Sequence, residues 1–201
     1  MVKVAIFDYG AGNIFSLKSS LEKNNAEVDV ITNLDKMNNY SGLLLPGVGN
    51  FDPAIQSLSP SKTAFQDLTN NQVPVLGICL GMEMFFEKSE EGNLGGLGIL
   101  KGEVILLPNK FKIPHMGWND LQIKKSSLLL EGVKEGSWVY FVHSYRVKPS
   151  NEEIIKADSD YGISVPAVIE KGTLFGTQFH PEKSGKVGSK MIKNFLRTCK
   201  K

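Results

Sequence analysis

The chain has 201 residues, of which 41% are hydrophobic and 22% charged, a composition typical of globular proteins and unlike disordered or membrane-spanning ones. Its 23 basic and 21 acidic side chains leave a formal net charge of +2, so charge provides no argument for binding nucleic acid or an acidic membrane. The length suits one ordinary domain with a sizeable core. We therefore expect a single domain over residues 1–201, with neither a nucleic-acid nor a membrane partner.

The cysteine content and the N-terminal residues predict a reducing compartment. The two cysteines, Cys79 and Cys199, are fewer than a secreted domain stapled by disulfides would carry. The chain enters a predicted strand at Val2, without the pattern of a signal peptide. The longest apolar stretch, 73–86, is interrupted by a proline, two glycines and a glutamate, so it is unsuited to crossing a bilayer. A cytoplasmic location follows as an expectation.

The first half of the chain alternates predicted strands with predicted helices. Apolar residues recur at helical spacing at Ile14, Leu17 and Leu21, after a turn over 8–13, and a second helix is predicted over 62–72. Strands are predicted at Val2–Phe7, 27–31, 42–45 and 73–78. This alternation implies a parallel sheet with helices on both faces.

The second half contains closely spaced strand-like segments, which indicate mixed or antiparallel additions to the sheet. They lie at 104–107, 138–147, 167–169 and 174–179. An amphipathic helix closes the chain, with an apolar stripe made by Val187, Met191, Ile192, Phe195 and Leu196. The fold class predicted from the whole pattern is α/β, with an open, mixed, largely parallel sheet covered by helices on both faces.

Cys79 lies between Gly77 and Gly81, where an apolar strand turns into a helix-like segment. This is the layout of a nucleophile elbow, with sulfur in place of a serine hydroxyl. The bend would expose Cys79 at the carboxyl edge of the sheet, and the helix N-terminus would lower the pKa of its thiol. The backbone N–H of Leu80 would then face an oxyanion. Most free cysteines are instead small buried hydrophobes, and these five residues alone do not decide between the two interpretations.

His180 and Glu182 are predicted to act with that thiol. They lie two residues apart at the end of a predicted strand, and residues i and i+2 of an extended chain point the same way. The carboxylate would hold one imidazole nitrogen and select the useful tautomer. The alternative is a surface histidine beside a surface acid.

Two glycine-containing segments, 46–49 and 10–13, could each bind a ligand through the backbone. The loop at 46–49 follows an apolar strand and could direct backbone N–H groups at an anion, although an ordinary turn is the better explanation of this loop taken alone. The segment 10–13 lacks the third glycine of a dinucleotide fingerprint, so that interpretation is rejected.

Six segments together resemble the class I glutamine amidotransferases, and in particular the glutaminase subunits of imidazole glycerol phosphate synthases. They are the turn at 8–13, the loop at 46–49, the elbow at 77–81, and the runs 114–119, 140–145 and 178–182. The elbow is common to many amidotransferases, whereas His-Met-Gly-Trp-Asn at 115–119 is far more specific. The resemblance covers almost the whole chain and implies a single glutamine amidotransferase type 1 domain with a flavodoxin-like core.

The resemblance implies a thiol mechanism without a metal or another cofactor. Cys79 would attack the side-chain amide of L-glutamine, and His180, oriented by Glu182, would protonate the departing ammonia and then activate water against the thioester. The oxyanion would be held by Leu80, Val48 and Gly49. Substrate contacts would come from Gly47, Glu83, Glu91, Ser144 and Tyr145.

Glu83 departs from the family pattern, which usually has glutamine there. An ionised carboxylate would repel the α-carboxylate of the substrate. Glu83 is therefore protonated, or pairs with the substrate ammonium, or weakens glutamine binding. The second option is our expectation, with Glu91 as a further acidic contact.

The resemblance also implies a partner. Ammonia would pass without mixing with solvent into a (β/α)8-barrel cyclase subunit that makes imidazole glycerol phosphate in histidine synthesis. The loop at 46–49 would rearrange when that partner binds, so the isolated chain would be weakly active. The predicted partner face or ammonia exit comprises Asn13, Trp118, Asn119, Tyr140 and Lys183. From the residues alone, Trp118 would more simply be core.

Two other functions remain open from the sequence. A paralogous subunit could supply ammonia for amination or amidination of a sugar in a bacterial surface polysaccharide. A non-enzymatic scaffold could bind a partner without catalysis, although the intact Cys79, His180 and Glu182 argue against it.

Overall fold

The computed structural model describes residues 1–10 and 12–200. The strands are β1 Val2–Phe7, β2 Ala26–Ile31, β3 Leu43–Leu45, β4 Val75–Ile78, β5 Lys88–Ser89, β6 Gly102–Leu106, β7 His115–Asp120, β8 Gln122–Ile123, β9 Trp138–His143, β10 Tyr145–Pro149, β11 Ile155–Asp160, β12 Ser164–Lys171 and β13 Leu174–Thr177. The α-helices are α1 Ile14–Lys23, α2 Phe51–Leu58, α3 Lys62–Asn70, α4 Leu80–Glu83 and α5 Gly185–Thr198. Short 3-10 turns cover Met37–Asn39, Ser59–Ser61, Glu152–Ile154 and Pro181–Lys183.

The main sheet has eight strands in the order β2-β1-β3-β4-β13-β12-β11-β8. The five strands from β2 to β13 pair in parallel, and β12, β11 and β8 extend the sheet by antiparallel pairing. The order reverses direction around β1, as expected where chain crossovers pass over opposite faces. The prediction of an open, mixed, largely parallel sheet is confirmed.

Both faces of the sheet are buried under helices. Neighbouring residues of a strand point to opposite faces, so Leu43 and Leu45 enter one apolar cluster and Leu44 enters the other. The first cluster includes apolar residues of α2 and α3, and the second includes those of α1 and α5. This two-sided burial explains why the central strands are continuous apolar runs.

Two smaller sheets correct the prediction of one strand over 138–147. β9 ends at His143, and β10 begins at Tyr145. β9 pairs antiparallel with β7, whereas β10 pairs antiparallel with β6, next to β5. A period-2 pattern runs through Ser144 without interruption, so the sequence carries no signal for the change of partner.

Three local predictions are also corrected. Helix α2 was not predicted, and the helix leaving the elbow, α4, has only four residues. Residues 178 and 179 lie beyond the end of β13. In the predicted turn at 8–13, Ala11 lies outside the described residues, as does Lys201. No helix in the described ranges is long and apolar enough to cross a membrane.

Candidate active site

Cys79 occupies a sharp, strained bend between β4 and α4. Its backbone has φ 48° and ψ −108°, a conformation that costs free energy for any residue other than glycine. A Cβ atom added to Gly81 would lie 2.2 Å from the carbonyl oxygen of Leu45, and one added to Gly77 would lie 2.6 Å from the carbonyl of Gly81. The two glycines are therefore required by backbone packing, as the elbow pattern predicts.

The Cys79 side chain borders a cleft of about 290 Å³ at the carboxyl edge of the sheet. The other lining residues are Gly47, Val48, Gly49, Leu80, Glu83, Glu91, Pro114, Val142, His143, Ser144 and Tyr145. Every residue that we predicted for substrate binding, and every predicted member of the oxyanion hole, therefore lies around one cleft. That position is where open α/β sheets bind their ligands.

The environment of the thiol corrects one expectation. Burial and the neighbouring Glu83 raise the pKa of Cys79 well above its ordinary value, whereas we expected a lowered pKa. The N–H of Leu80 and the side-chain amide of Gln178 oppose this rise without cancelling it. The four-residue α4 has too few aligned peptides for a substantial dipole. The thiol donates a hydrogen bond to the carbonyl oxygen of Val142 at 3.8 Å.

His180 and Glu182 are in direct contact. Imidazole Nδ1 of His180 lies 2.9 Å from carboxylate Oε1 of Glu182, and both side chains are almost completely buried. The geometric reason differs from the predicted one, because Glu182 lies in the 3-10 turn Pro181–Lys183 and not in an extended strand. The turn brings the carboxylate back toward the ring, and this contact assigns the proton of the neutral imidazole to Nδ1.

The second imidazole nitrogen is free. Among the described residues, His180 Nε2 is buried and has no hydrogen-bond partner, and His180 does not line the cleft. The thiol is engaged with Val142, so the structure contains no thiol–imidazole hydrogen bond. Adjacent strands nevertheless bring the two segments together, since β4 pairs with β13 and the N–H of Cys79 donates to the carbonyl oxygen of Thr177 at 2.6 Å.

Glu83 is buried beside Cys79 and is hydrogen-bonded to a residue that we did not assign to the site. Its Oε1 accepts a hydrogen bond from Nε2 of Gln178 at 3.0 Å. Burial raises the pKa of Glu83 to about 8, with a small further rise from the charge of Glu91. The carboxyl group is therefore mainly protonated at neutral pH before substrate arrives, which corrects our expectation of an ionised group ready to meet an ammonium. Burial also raises the pKa of Glu91.

The loop at 46–49 is packed tightly against the elbow. A Cβ atom added to Gly47 would lie 2.1 Å from the carbonyl oxygen of Ile78, and Gly49 has φ 128°. On its other side, an added Cβ at Gly12 would lie 3.0 Å from the Pro46 ring. The loop therefore packs between the elbow and Gly12, which precedes α1.

Two histidines that we did not assign form a buried pair next to the cleft. His115 Nδ1 lies 3.0 Å from His143 Nε2, and His143 Nδ1 lies 2.7 Å from the carbonyl oxygen of Tyr145. Burial lowers the pKa of His115 to about 4 and that of His143 to about 3, so both are neutral at pH 7. Their position inside two of the six family-like segments, 114–119 and 140–145, was the available signal.

Four of the predicted partner residues, Trp118, Asn119, Tyr140 and Lys183, lie on the β7–β9 sheet and the adjoining 3-10 turn, whereas Asn13 lies at the start of α1. Trp118 is 51% exposed, so it is a surface residue and not core. Its ring lies 5.9 Å from that of Tyr140, and the Lys183 ammonium lies 5.9 Å from the Tyr140 ring. Asn119 donates to the carbonyl oxygen of Asp160, and Asn13 caps α1 by accepting from the Ser16 N–H.

No group of three or more potential metal ligands occurs within residues 1–10 and 12–200. The cleft instead combines a thiol, carboxyl groups and backbone amides. Such a set suits nucleophilic attack on a carbonyl carbon, with the oxyanion held by backbone N–H groups.

Comparison with known proteins agrees with this chemistry. Residues 5–199 match the family model described as glutamine amidotransferase class-I. Because the match spans nearly the whole chain, the chain belongs to the class-I glutamine amidotransferase family and is an enzyme of that class. The non-enzymatic scaffold considered from the sequence is therefore wrong.

Relatives narrow the assignment within the family. The chain is 46% identical over 194 residues to the imidazole glycerol phosphate synthase subunit HisH of Methanocaldococcus jannaschii, covering 96% of this chain and 98% of that protein. It is 44% identical over 202 residues to the subunit of the same name from Geobacillus kaustophilus, covering 96% and 95%. The resemblance inferred from the six segments is confirmed.

Solved structures support the fold alone, because their sequences are distant. A glutamine amidotransferase from Thermotoga maritima superposes with a TM-score of 0.76 at 14% identity, covering 100% of this chain and 99% of that one. The glutaminase domain of Trypanosoma brucei CTPS, solved with bound acivicin, gives 0.73 at 18% identity, covering 99% and 94%.

Proposed function

We propose that this chain is the glutaminase subunit of an imidazole glycerol phosphate synthase, and that it hydrolyses L-glutamine to L-glutamate and ammonia at Cys79. The observation that carries the proposal is the strained Cys79 elbow at a cleft with acidic walls, in a chain 46% identical to a HisH subunit along nearly its full length. The same relatives favour histidine synthesis over the sugar-modifying alternative.

The proposed reaction starts with transfer of the thiol proton to His180. Its buried Nε2 has no other hydrogen-bond partner among the described residues, and Nδ1 is held by Glu182, which stabilises the imidazolium. The sulfur forms a bond to the amide carbon of glutamine, and the carbonyl electrons move onto oxygen. The backbone N–H of Leu80 and those of Val48 and Gly49 would hold this oxyanion.

Collapse of the tetrahedral intermediate breaks the carbon–nitrogen bond. His180 gives its proton to the leaving ammonia, and a thioester remains on Cys79. Water then attacks the thioester while His180 accepts a proton, the carbon–sulfur bond breaks, and glutamate leaves with the thiol restored. Gly47, Glu83, Glu91, Ser144 and Tyr145 are proposed to hold the amino-acid end of the substrate in the cleft that they line.

The partner is proposed to be a (β/α)8-barrel cyclase that takes the ammonia without release to solvent. The outer face of the β7–β9 sheet supports a docking surface, since Met116, Trp118 and Trp138 are 61%, 51% and 58% exposed on it. Exposed aromatic side chains of this kind are typical interface anchors. Asn13, Asn119, Tyr140 and Lys183 are assigned to the same interface or to the ammonia exit.

This surface is connected to the catalytic turn through the backbone. The carbonyl oxygen of Tyr140 accepts the N–H of His180, and the Tyr140 N–H donates to the hydroxyl of Ser184. That hydroxyl donates to the carbonyl oxygen of His180. A partner that contacts Trp118 and Tyr140 and shifts β9 would therefore also shift the backbone of His180, through these hydrogen bonds.

The isolated chain is proposed to be weakly active and the complex strongly active. In the free chain the thiol contacts Val142 and not His180, and the loop at 46–49 is wedged against the elbow and Gly12. We propose that the cyclase rearranges this loop so that its donor faces the substrate. The described chain is further proposed to be one glutamine amidotransferase domain of the cytoplasm, where both cysteines stay free.

The test is ammonia release from L-glutamine by the purified chain, alone and with a cyclase subunit and its ribonucleotide ligand. The proposal predicts little ammonia alone and a large increase in the ternary mixture. Trp118→Ala should weaken the complex by about tenfold in Kd, as expected for a central aromatic anchor. Full activity of the isolated chain would reject the activation step, and no ammonia in either mixture would reject the function.

A further inference from the structure

Gln178 is a buried amide that contacts both the thiol and the neighbouring carboxyl group. Its Nε2 lies 3.0 Å from Glu83 Oε1 and 3.7 Å from Cys79 Sγ. The residue is fully buried, and its Oε1 has no hydrogen-bond partner in the described part of the chain. An amide NH2 group has two hydrogens, so one nitrogen serves both acids at once.

The orientation of this amide depends on Glu83. Turning the side chain over would place Oε1 against Glu83 and the sulfur, and Glu83 would repel it once ionised, above its pKa of about 8. The pairing seen here places the donor end toward both groups and leaves Oε1 without a partner. A buried acceptor without a partner costs free energy, so the contacts of Nε2 with Glu83 and Cys79 must outweigh that cost.

The two acids oppose each other through space. Burial, and after it a negative Glu83, raise the pKa of the Cys79 thiol, whereas the hydrogen bonds from the Leu80 N–H and from Gln178 lower it. The same amide lowers the pKa of Glu83 itself. Gln178 is therefore one donor that the carboxyl group and the sulfur share, beside the Leu80 N–H that serves the sulfur alone.

We propose that Gln178 is a positioning residue, whose amide is oriented by Glu83 and keeps the Cys79 sulfur reactive beside that second acidic group. The inference rests on the proposed role of Cys79 as the nucleophile. Gln178 acts through the sulfur, since it does not line the cleft and so does not contact a ligand bound there.

Other titratable groups face this cluster and must be held constant in its test. They are Tyr9, Glu91, His143, Tyr145, His180 and Glu182. Each remains unchanged in the variants below.

The test is the rate of Cys79 alkylation by iodoacetamide as a function of pH, measured by peptide mass spectrometry. Sulfur displaces iodide in this reaction, and the rate follows the fraction of thiolate. Gln178→Met keeps the length of the side chain and removes the donor, so Cys79 should react about threefold to fivefold more slowly at fixed pH, with its pH midpoint moved upward. Cys199 is a control in the same sample, because it is buried away from Gln178 and its rate should not change.

Measuring the effect of Gln178→Met on the Cys79 alkylation rate in the Glu83→Gln background distinguishes a positioning role of Gln178 from a purely packing role. In the Glu83→Gln background, the same Gln178→Met change should slow Cys79 by only about twofold or less, because the opposing charge is gone and an amide at 83 can meet Gln178 in either orientation. An equal slowing in both backgrounds, or no slowing in either, would overturn the inference. Faster alkylation of Cys199 would show that the variant has loosened the fold, and Glu83→Gln alone then provides the test: it must lower the Cys79 pH midpoint.

Alkylation also separates this inference from the proposed function. If the Cys79 rates change as stated but no variant and no wild-type sample releases ammonia, the positioning role stands and the glutaminase function fails. If ammonia is released normally and the Cys79 rates do not depend on Gln178, the function stands and the positioning role fails.

Discussion

The two cysteines of this chain are both buried, but they differ in backbone conformation and in their polar neighbours. Cys79 has φ 48° and borders a cleft with two glutamates, whereas Cys199 ends helix α5 with φ −78° and donates to the carbonyl oxygen of Phe195 at 3.4 Å. Burial raises the thiol pKa of both, to about 12 for Cys199. Burial alone therefore does not distinguish the proposed nucleophile, Cys79, from the packed sulfur of Cys199, whereas backbone strain and polar neighbours do.

The largest expected effect is the loss of activity on removing one of the two thiols. Cys79→Ala should lower kcat for glutamine hydrolysis by about a thousandfold or more, because no other group can form the thioester. Cys199→Ala should change kcat by less than about twofold, since Cys199 is buried at the end of α5 and does not line the cleft. Steady-state ammonia release by the complex measures both. Equal losses would contradict the contrast between the two regions.

A second pair of variants compares the backbone packing of the two regions. An added Cβ at Gly81 meets the Leu45 carbonyl oxygen at 2.2 Å, whereas one at Gly42 meets the movable Cys199 sulfur at 2.5 Å. Gly81→Ala should lower the free energy of unfolding by about 3 kcal/mol and Gly42→Ala by about 1 kcal/mol. Urea denaturation measures both.

The Gly42 variant has an internal control. Combining it with Cys199→Ala removes the sulfur that the new methyl would meet, so the double variant should be more stable than the sum of the single effects. Strict additivity would show that the sulfur is not the obstacle.

The third variant concerns the group that orients His180. Glu182→Gln retains the size of the side chain and removes the charge that stabilises the imidazolium, so kcat should fall by about tenfold to a hundredfold with KM little changed. Glu131→Gln, at an exposed ion pair with Arg197 near α5, is the matched control and should leave kcat unchanged. A wild-type rate for Glu182→Gln would remove Glu182 from the catalytic group.

The smallest expected effect is a pH dependence of the free energy of unfolding. It comes from Glu83 beside Cys79, and the surroundings of Cys199 have no counterpart to it among the described residues. Glu83 has a folded-state pKa of about 8 against an ordinary value of 4.5, so between these values the folded state binds more protons than the unfolded state. Stability must then fall as pH rises through that window, by about 1 kcal/mol per pH unit from this group. Glu83→Gln should lack this component, and Cys199→Ala should retain it, in urea melts near pH 6 and pH 7. Parallel curves for wild type and Glu83→Gln would place the pKa of Glu83 near its ordinary value.

Much of the fold was predictable because the central strands are short, continuous apolar runs. β1 was predicted with its observed bounds, and the apolar runs of β3 and β4 required burial on both faces. Helix α2 was missed because Pro53 and nearby serines resemble a loop, although proline is tolerated in a first helical turn. The change of sheet at Ser144 depends on which strand is nearest in space, which no local pattern records.

The candidate site, like the fold, was predictable from the sequence only in part. The strained bend at Cys79 and the contact between His180 and Glu182 were predictable, because an elbow needs glycines at fixed positions and an imidazole needs a nearby carboxylate; the catalytic roles of the three residues stay predictions. The protonated state of Glu83 and its bond to Gln178 were not, because they arise from burial between segments 95 residues apart in the chain. The raised pKa of the Cys79 thiol was missed for the same reason, since the length of α4 and the depth of the sulfur are tertiary properties.

The central claim is that the Cys79 sulfur forms a covalent bond to the side-chain carbonyl of glutamine. It is tested most directly by mixing the complex with L-glutamine, quenching in acid during turnover, and examining the Cys79 peptide by mass spectrometry. The account predicts a γ-glutamyl thioester on Cys79 that hydroxylamine removes, with the Cys199 peptide unmodified. Sustained ammonia release with an unmodified Cys79 peptide at every quench time, or with the adduct on Cys199, would contradict it.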